Sequence, residues 1–165
     1  MISTSPVDRR AWRADQIDAR SASAPLRVLV VDDEPEIRRL LSLILGQSGC
    51  RMAFAGNLVE ARICLRDAWP DLILLDIGLG GQPEGLNLCD ALKRSAPGPF
   101  PVVVMLTADD DPRTVRVARE RGADGYVVKP FTPTQILGLI DSFDAWRLDA
   151  SRKPPSFWPA PRFLR

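Results

Sequence analysis

The six residues Asp71-Leu-Ile-Leu-Leu-Asp76 constrain the fold of this chain more than any others. Four consecutive apolar residues between carboxylates read as a β-strand. A strand without polar alternation is buried on both faces, as in a parallel sheet. The run ends on Asp76 and passes into the small, flexible Ile77-Gly78-Leu79-Gly80-Gly81. A charge at the end of a buried strand is costly unless something pairs with it. The chain therefore needs layers on both sides of this strand and a partner for its last residue.

The rest of the sequence supplies the layers. Leu26 to Val31 reads as a first strand ending on Asp32-Asp33-Glu34-Pro35, where Pro35 suits the first turn of a helix and acidic residues suit its N-terminus. Ile37, Leu40, Leu41 and Ile44 repeat at helical spacing until Gly46 to Gly49 stop them. Arg51 to Ala55 is a short second strand. Asn57 caps a second helix to about Trp69, with Leu58, Ala61, Ile63 and Leu65 expected on its inner face. After the Asp71–Asp76 strand, Glu84 to Ser95 reads as a third helix. Pro101 to Leu106 is a fourth strand ending on Thr107, and Asp109 to Arg121 a fourth helix with an acidic start and basic end. Gly122 to Gly125 turns into a fifth strand, Tyr126-Val127-Val128, ending on Lys129-Pro130-Phe131. Thr132 caps a last helix to about Trp146. Strict alternation of this kind implies right-handed crossovers and a doubly wound α/β fold, a parallel sheet with helices on both faces.

Three segments follow. Residues 1–24 are expected to form a mobile arm, residues 25–146 one domain, and residues 147–165, with Pro154, Pro155, Pro159 and Pro161, a tail without a core of its own. Charge divides the same way. The arm has four Arg against three Asp and the tail five Lys/Arg against one Asp, which leaves the middle at −4 within a chain of net charge +1. Cys50, Cys64 and Cys89 are odd in number and lack CxxC spacing, so they are expected to be small hydrophobes in a reducing compartment. No signal-peptide pattern and no apolar run of membrane-spanning length is visible, and a cytoplasmic location is expected. The chain has no histidine, which excludes Ser-His-Asp triads, histidine-ligated metals and a phosphohistidine donor.

Four of the five strands end on a reactive or polar side chain: Asp32-Asp33, Asp76, Thr107 and Lys129. In open parallel sheets, sites form outside the carboxyl ends of the strands, where the strand order reverses. If the first and third strands are neighbours there, the three carboxylates share one pocket. Two carboxylates 4 Å apart repel by about 4 kcal/mol at an effective dielectric near 20. A hard divalent cation such as Mg²⁺ relieves that repulsion, using one or two carboxylates together with a phosphate. Cation, ammonium and hydroxyl around a carboxylate stabilise an arriving phosphoryl group, with Asp76 as the nucleophile.

At these residues the chain resembles the receiver domain of two-component response regulators. The matching motifs are Val28-Leu-Val-Val-Asp-Asp-Glu34, Asp71 to Asp76, Thr107-Ala108 and Gly122 to Phe131, and they cover roughly Leu26 to Trp146. The resemblance implies a flavodoxin-like sheet of order 2-1-3-4-5. It implies Asp76 as phosphoacceptor, fed by a sensor histidine kinase or histidine phosphotransfer protein. It implies Mg²⁺ held by Asp32, Asp33, Asp76 and the backbone carbonyl of Gly78. Thr107 and Lys129 would contact the phosphoryl oxygens, Tyr126 would reorient with Thr107, and the Lys129–Pro130 peptide would be cis. Gly78 and Asp109 occupy the positions that tune phosphate lifetime. Such a domain is no enzyme beyond its own phosphorylation and dephosphorylation.

Its expected output is a phosphorylation-dependent change in protein contacts, through a downstream protein target, with a homodimer through the fourth helix, fifth strand and fifth helix as one form. No direct nucleic-acid binding is expected. The alternatives are the receiver portion of a DNA-binding transcriptional regulator whose output domain is absent from this chain, and a phosphorelay intermediate. Two rival classes fit less well. A flavin module needs a Ser/Thr/Gly phosphate loop where Asp32-Asp33-Glu34 stand, and a haloacid-type phosphatase needs a second Asp where Gly78 stands. One departure from the family is the Gly80-Gly-Gln-Pro-Glu-Gly85 loop, which reads as one residue longer than usual.

Overall fold

The computed structural model describes residues 24–95, 101–108 and 111–149. Nearly all of the expected arm and most of the tail lie outside these residues, as does Asp109. Among the described residues five strands alternate with five helices: β1 (Arg27–Val31), α1 (Pro35–Leu45), β2 (Arg51–Ala55), α2 (Leu58–Asp67), β3 (Leu72–Asp76), α3 (Glu84–Ser95), β4 (Val102–Thr107), α4 (Pro112–Glu120), β5 (Gly125–Val128) and α5 (Pro133–Leu148). A short 3-10 turn, Leu79–Gly81, lies between β3 and α3. All neighbouring strands pair in parallel in the order β2-β1-β3-β4-β5, the expected 2-1-3-4-5.

The apolar run that opened the reading is the middle of this sheet. Leu72, Ile73, Leu74 and Leu75 are all 0% exposed, because alternate side chains enter two different cores. Leu72 and Leu74 join Leu41, Ile44 and Leu45 of α1 and Ile136, Ile140 and Phe143 of α5. Ile73 and Leu75 join Ala61 and Leu65 of α2, Leu88 and Leu92 of α3 and Ala118 of α4. Burial of each such side chain contributes roughly 1.5–3 kcal/mol. A polar residue on either face of β3 would forfeit that and lack a partner.

Local signals place the helix starts. Pro35, Pro112 and Pro133 sit in the first turn of α1, α4 and α5. Asn57 accepts a hydrogen bond from the Glu60 N–H, and Thr132 forms a reciprocal capping box with Gln135. The described start of α4 is Pro112, capped by the Asp111 side chain, rather than Asp109. Ile63, expected on the inner face of α2, is 45% exposed instead. Leu58, Ala61 and Leu65 lie three and seven residues apart and so share one face, while Ile63 is two residues from either and points away. Leu40, 39% exposed, lies at the margin of the apolar stripe of α1, whose buried residues are Leu41, Ile44 and Leu45. The three cysteines are free thiols, with Cys89 buried and Cys50 and Cys64 half-buried.

Candidate functional site

The parallel register brings the strand ends to one edge. β1 lies between β2 and β3, so Asp32, one residue past Val31, stands beside the end of β3, where Val31 pairs with Leu75. Asp76 pairs with Leu106, and Thr107 follows as the last residue of β4. Thr107 pairs with Val128, and its carbonyl accepts a hydrogen bond from the Lys129 N–H at 2.7 Å. Tyr126, half-buried, pairs with Met105 and packs with the α2–α4 core. Met105 and Thr107 are two residues apart on β4, so strand alternation gives Thr107 and Tyr126 the same side of the sheet. The Lys129–Pro130 peptide is cis, as expected.

Three carboxylates meet at this edge. Asp32, Asp33 and Asp76 each offer an oxygen, and these oxygens lie within 4.8 Å of one another. Asp32 is 0% and Asp76 7% exposed, whereas Asp33 is exposed. Lys129 Nζ lies 2.8 Å from Asp32 Oδ2, 2.9 Å from Glu34 Oε1 and 3.4 Å from Asp76 Oδ1. Burial raises the Asp76 carboxyl above the ordinary aspartate range. The Lys129 ammonium works against that shift, and Asp32 adds to it. Burial disfavours the Lys129 ammonium too, but the neighbouring carboxylates of Asp32, Glu34 and Asp76 outweigh it and push the lysine up to about 12.

Asp32 Oδ2 is fully buried and makes no directed hydrogen bond among the described residues, although the ammonium lies close enough for an ion pair. A buried carboxylate oxygen in that state has coordination capacity to spare. The donor set is all oxygen, which suits a hard divalent cation.

The loop after β3 lines the same edge. Gly80 and Gly81 adopt φ of 62° and 74°, a region that favours glycine, and so turn the chain after β3. The turn aims the Gly80 N–H at Asp33 Oδ2, 2.9 Å away, and buries Leu79 in the α2–α4 core. The Gly78 backbone donates to Asp76, and a Cβ at Gly78 would stand 4.0 Å from Asp76 Oδ2, in ordinary van der Waals contact. The Gly78 carbonyl accepts from Gly81 N–H at 3.2 Å.

Three contributors were not singled out in the sequence. Glu34 holds Lys129, and its one sequence signal was a place in the acidic run after β1. Gly85 packs so closely that a Cβ there would stand 1.8 Å from the Asp76 carbonyl oxygen, and no sequence pattern announces such an approach. Arg38 donates from Nη1 to the Asp32 carbonyl at 2.6 Å.

Comparison with known proteins gives a consistent result. The model of the response regulator receiver domain matches residues 28–141. The chain is 38% identical over 114 residues to the DNA-binding response regulator MtrA of Mycolicibacterium smegmatis, covering 69% of this chain and 48% of that protein. It is 40% identical over 114 residues to the phosphate regulon transcriptional regulatory protein PhoB of Klebsiella pneumoniae, covering 69% and 49%. The chain thus spans about half the length of these curated relatives. Among solved structures, a CheY-like receiver domain protein from Methanospirillum hungatei superposes with a TM-score of 0.67 at 26% identity, covering 75% of this chain and 97% of that one. The chemotaxis response regulator CheY4 of Vibrio cholerae gives 0.65 at 28%, covering 72% and 98%. The strand order, the acidic edge and these likenesses together establish that the chain belongs to the receiver domain family of two-component response regulators.

Proposed function

We propose that Asp76 is the phosphoacceptor of a signalling switch, with a sensor histidine kinase or histidine phosphotransfer protein as donor. The observation that carries this reading is the convergence of Asp32, Asp33 and Asp76 within 4.8 Å beside the Lys129 ammonium. An Asp76 carboxylate oxygen attacks phosphorus in line. The P–O bond forms as the P–N bond of the donor phosphohistidine breaks, and its electron pair stays on the imidazole nitrogen.

Asp32, Asp33, Asp76 and the Gly78 carbonyl would hold Mg²⁺, whose bound charge offsets that of the carboxylates and the phosphoryl oxygens. Lys129 is free to exchange a carboxylate contact for a phosphoryl oxygen, and Thr107 supplies a hydroxyl donor. Tyr126 shares a side of the sheet with Thr107, so movement of Thr107 would change the surface of α4, β5 and α5. Gly78 leaves a path for water to Asp76. Asp109 would orient that water, and slower phosphate loss in Asp109→Ala is the expected outcome.

The downstream reading is a change in protein contacts. A second reading has its own support. Two relatives about twice as long are named as a DNA-binding response regulator and a transcriptional regulatory protein, so the chain would be the receiver portion of such a regulator. Incubation with a small-molecule phosphodonor and Mg²⁺ should load one phosphoryl group per chain, detected by intact mass. Asp76→Asn should take up none, and persistent labelling of that variant would overturn the assignment.

A further inference from the structure

The ladder between β1 and β2 stops one rung short of the acidic edge. Its register runs from the Arg51 N–H, which donates to the Leu26 carbonyl at 2.7 Å, to the Asp32 N–H, which donates to the Ala55 carbonyl at 3.0 Å. Continued by the same spacing, the next rung would take the Asn57 N–H to the Asp32 carbonyl. Asn57 instead begins α2 as its N-cap, with its side chain turned to the Glu60 N–H. The Asp32 carbonyl would then lack a partner beside a fully buried side chain, which costs free energy.

Arg38, one turn into α1, takes the place of that rung. Its Nη1 donates to the Asp32 carbonyl at 2.6 Å, a charge-assisted bond. The guanidinium lies over the backbone at Gly56. A Cβ there would stand 3.0 Å from Nη1, 3.3 Å from Cζ and 3.4 Å from Nη2. Gly56 is therefore the residue that leaves room for it.

The bond fixes more than one carbonyl. The Asp32 C=O and the Asp33 N–H belong to one rigid peptide plane, so holding the first sets the direction in which Asp33 leaves the strand. The far side of the turn is tied by the Glu34 N–H to Asp32 Oδ1 at 3.0 Å and by the Gly80 N–H to Asp33 Oδ2 at 2.9 Å. We propose that Arg38, seated over Gly56, is a positioning residue that replaces the missing ladder rung and orients Asp32 and Asp33 toward Asp76 for a divalent cation. The cation rests on the function proposed above, whereas the orientation of the turn does not.

Amide exchange in the metal-free protein and Mg²⁺ titration, both followed by ¹⁵N NMR, test the two parts. In Arg38→Met the amides of Glu34 and Gly80, which donate to Asp32 Oδ1 and Asp33 Oδ2, should exchange at least tenfold faster than in the parent, with the amides of β3 and β4 unchanged. Mg²⁺ should bind about tenfold more weakly. Arg38→Lys should recover part of that affinity, and Gly56→Ala, which keeps the arginine but displaces it, should lose two- to threefold. Leu139→Ala, a core change away from the edge, should lower Tm but leave Mg²⁺ affinity as it was. Parent-like exchange at Glu34 and Gly80 in Arg38→Met would overturn the positioning role, whether or not the protein binds Mg²⁺. Parent-like Mg²⁺ affinity in Arg38→Met would overturn the link to the cation. A parent protein that binds no Mg²⁺ would also overturn that link, and with it the proposed metal site, while the exchange result would still decide the positioning role.

Discussion

Asp76 is held by its surroundings more than by its own chemistry. Burial raises its carboxyl pKa, foremost among the causes. A carboxyl that holds its proton more tightly when folded loses stability for the fold as pH rises through its folded value. Ionisation of Asp76 in the metal-free fold is therefore a cost to stability. Asp76→Asn, which cannot ionise, should raise the Tm of the metal-free protein. A lower Tm measured in chelator by calorimetry would contradict this. Gly85 is the second residue of consequence. The contacts that a Cβ would make there are with the Asp76 carbonyl at 1.8 and 2.9 Å and Ile77 Cα at 3.1 Å, all backbone, so none can swing aside. Gly85→Ala should destabilise by about 3 kcal/mol in urea unfolding and slow phosphoryl uptake at Asp76. The sequence marked Asp76 because a charge ended an apolar run. It marked Gly85 only as the end of a loop and the first turn of the third helix, because a close approach between segments leaves no local pattern.

At the scale of elements, apolar periodicity and caps placed the strands and helices, and the errors fall where periodicity is coarse. Ile63 was counted with Leu58, Ala61 and Leu65 because all four are apolar, yet a helix turns by about 100° per residue and only three of them share a face. A tie between elements escaped the reading altogether. Lys93 of α3, 5% exposed, extends to Asp124 Oδ2 at 2.6 Å and to the Pro101 carbonyl at 2.8 Å. Asp124 also accepts from the Val103 N–H at 2.8 Å, so one ion pair joins α3, the start of β4 and the turn before β5. Gly122 makes room for the lysine stem, which a Cβ would meet at 2.9 Å. Asp124→Ala leaves a buried ammonium and should destabilise by about 3 kcal/mol in chemical denaturation. Lys93→Met with Asp124→Ala should recover part of that loss, since the ammonium that lost its carboxylate is then gone.

Across the whole molecule, groups on different elements act together as pH rises. Burial, the largest influence, pushes the Cys89 thiol up from 9.0 to about 12, and the carboxylates around Lys129 overcome burial to raise it from 10.5 to about 12. Each group keeps its proton in the folded state where the unfolded chain has begun to lose it. Their contributions are fully present below pH 9.0 and 10.5 and are lost as pH rises to about 12. Stability measured by urea unfolding should therefore fall steadily above pH 9, and Cys89→Ala should flatten the first part of that fall. In the native protein Cys89 should resist alkylation at pH 8, and unfolding should expose it.

The sequence by itself determined the α/β alternation, the doubly covered β3 and the acidic, hydroxyl and ammonium groups at the strand ends. These follow from local chemistry: burial on two faces forbids polar alternation, and prolines and capping residues stop or start helices wherever they occur. Only the tertiary structure decided the distances. Lys129 meets Asp32 and Glu34 across 97 and 95 residues of chain, and Arg38 completes a sheet edge that α2 abandons. Such contacts depend on strand order and on where each backbone turns away, and neither is encoded in the spacing of any one segment.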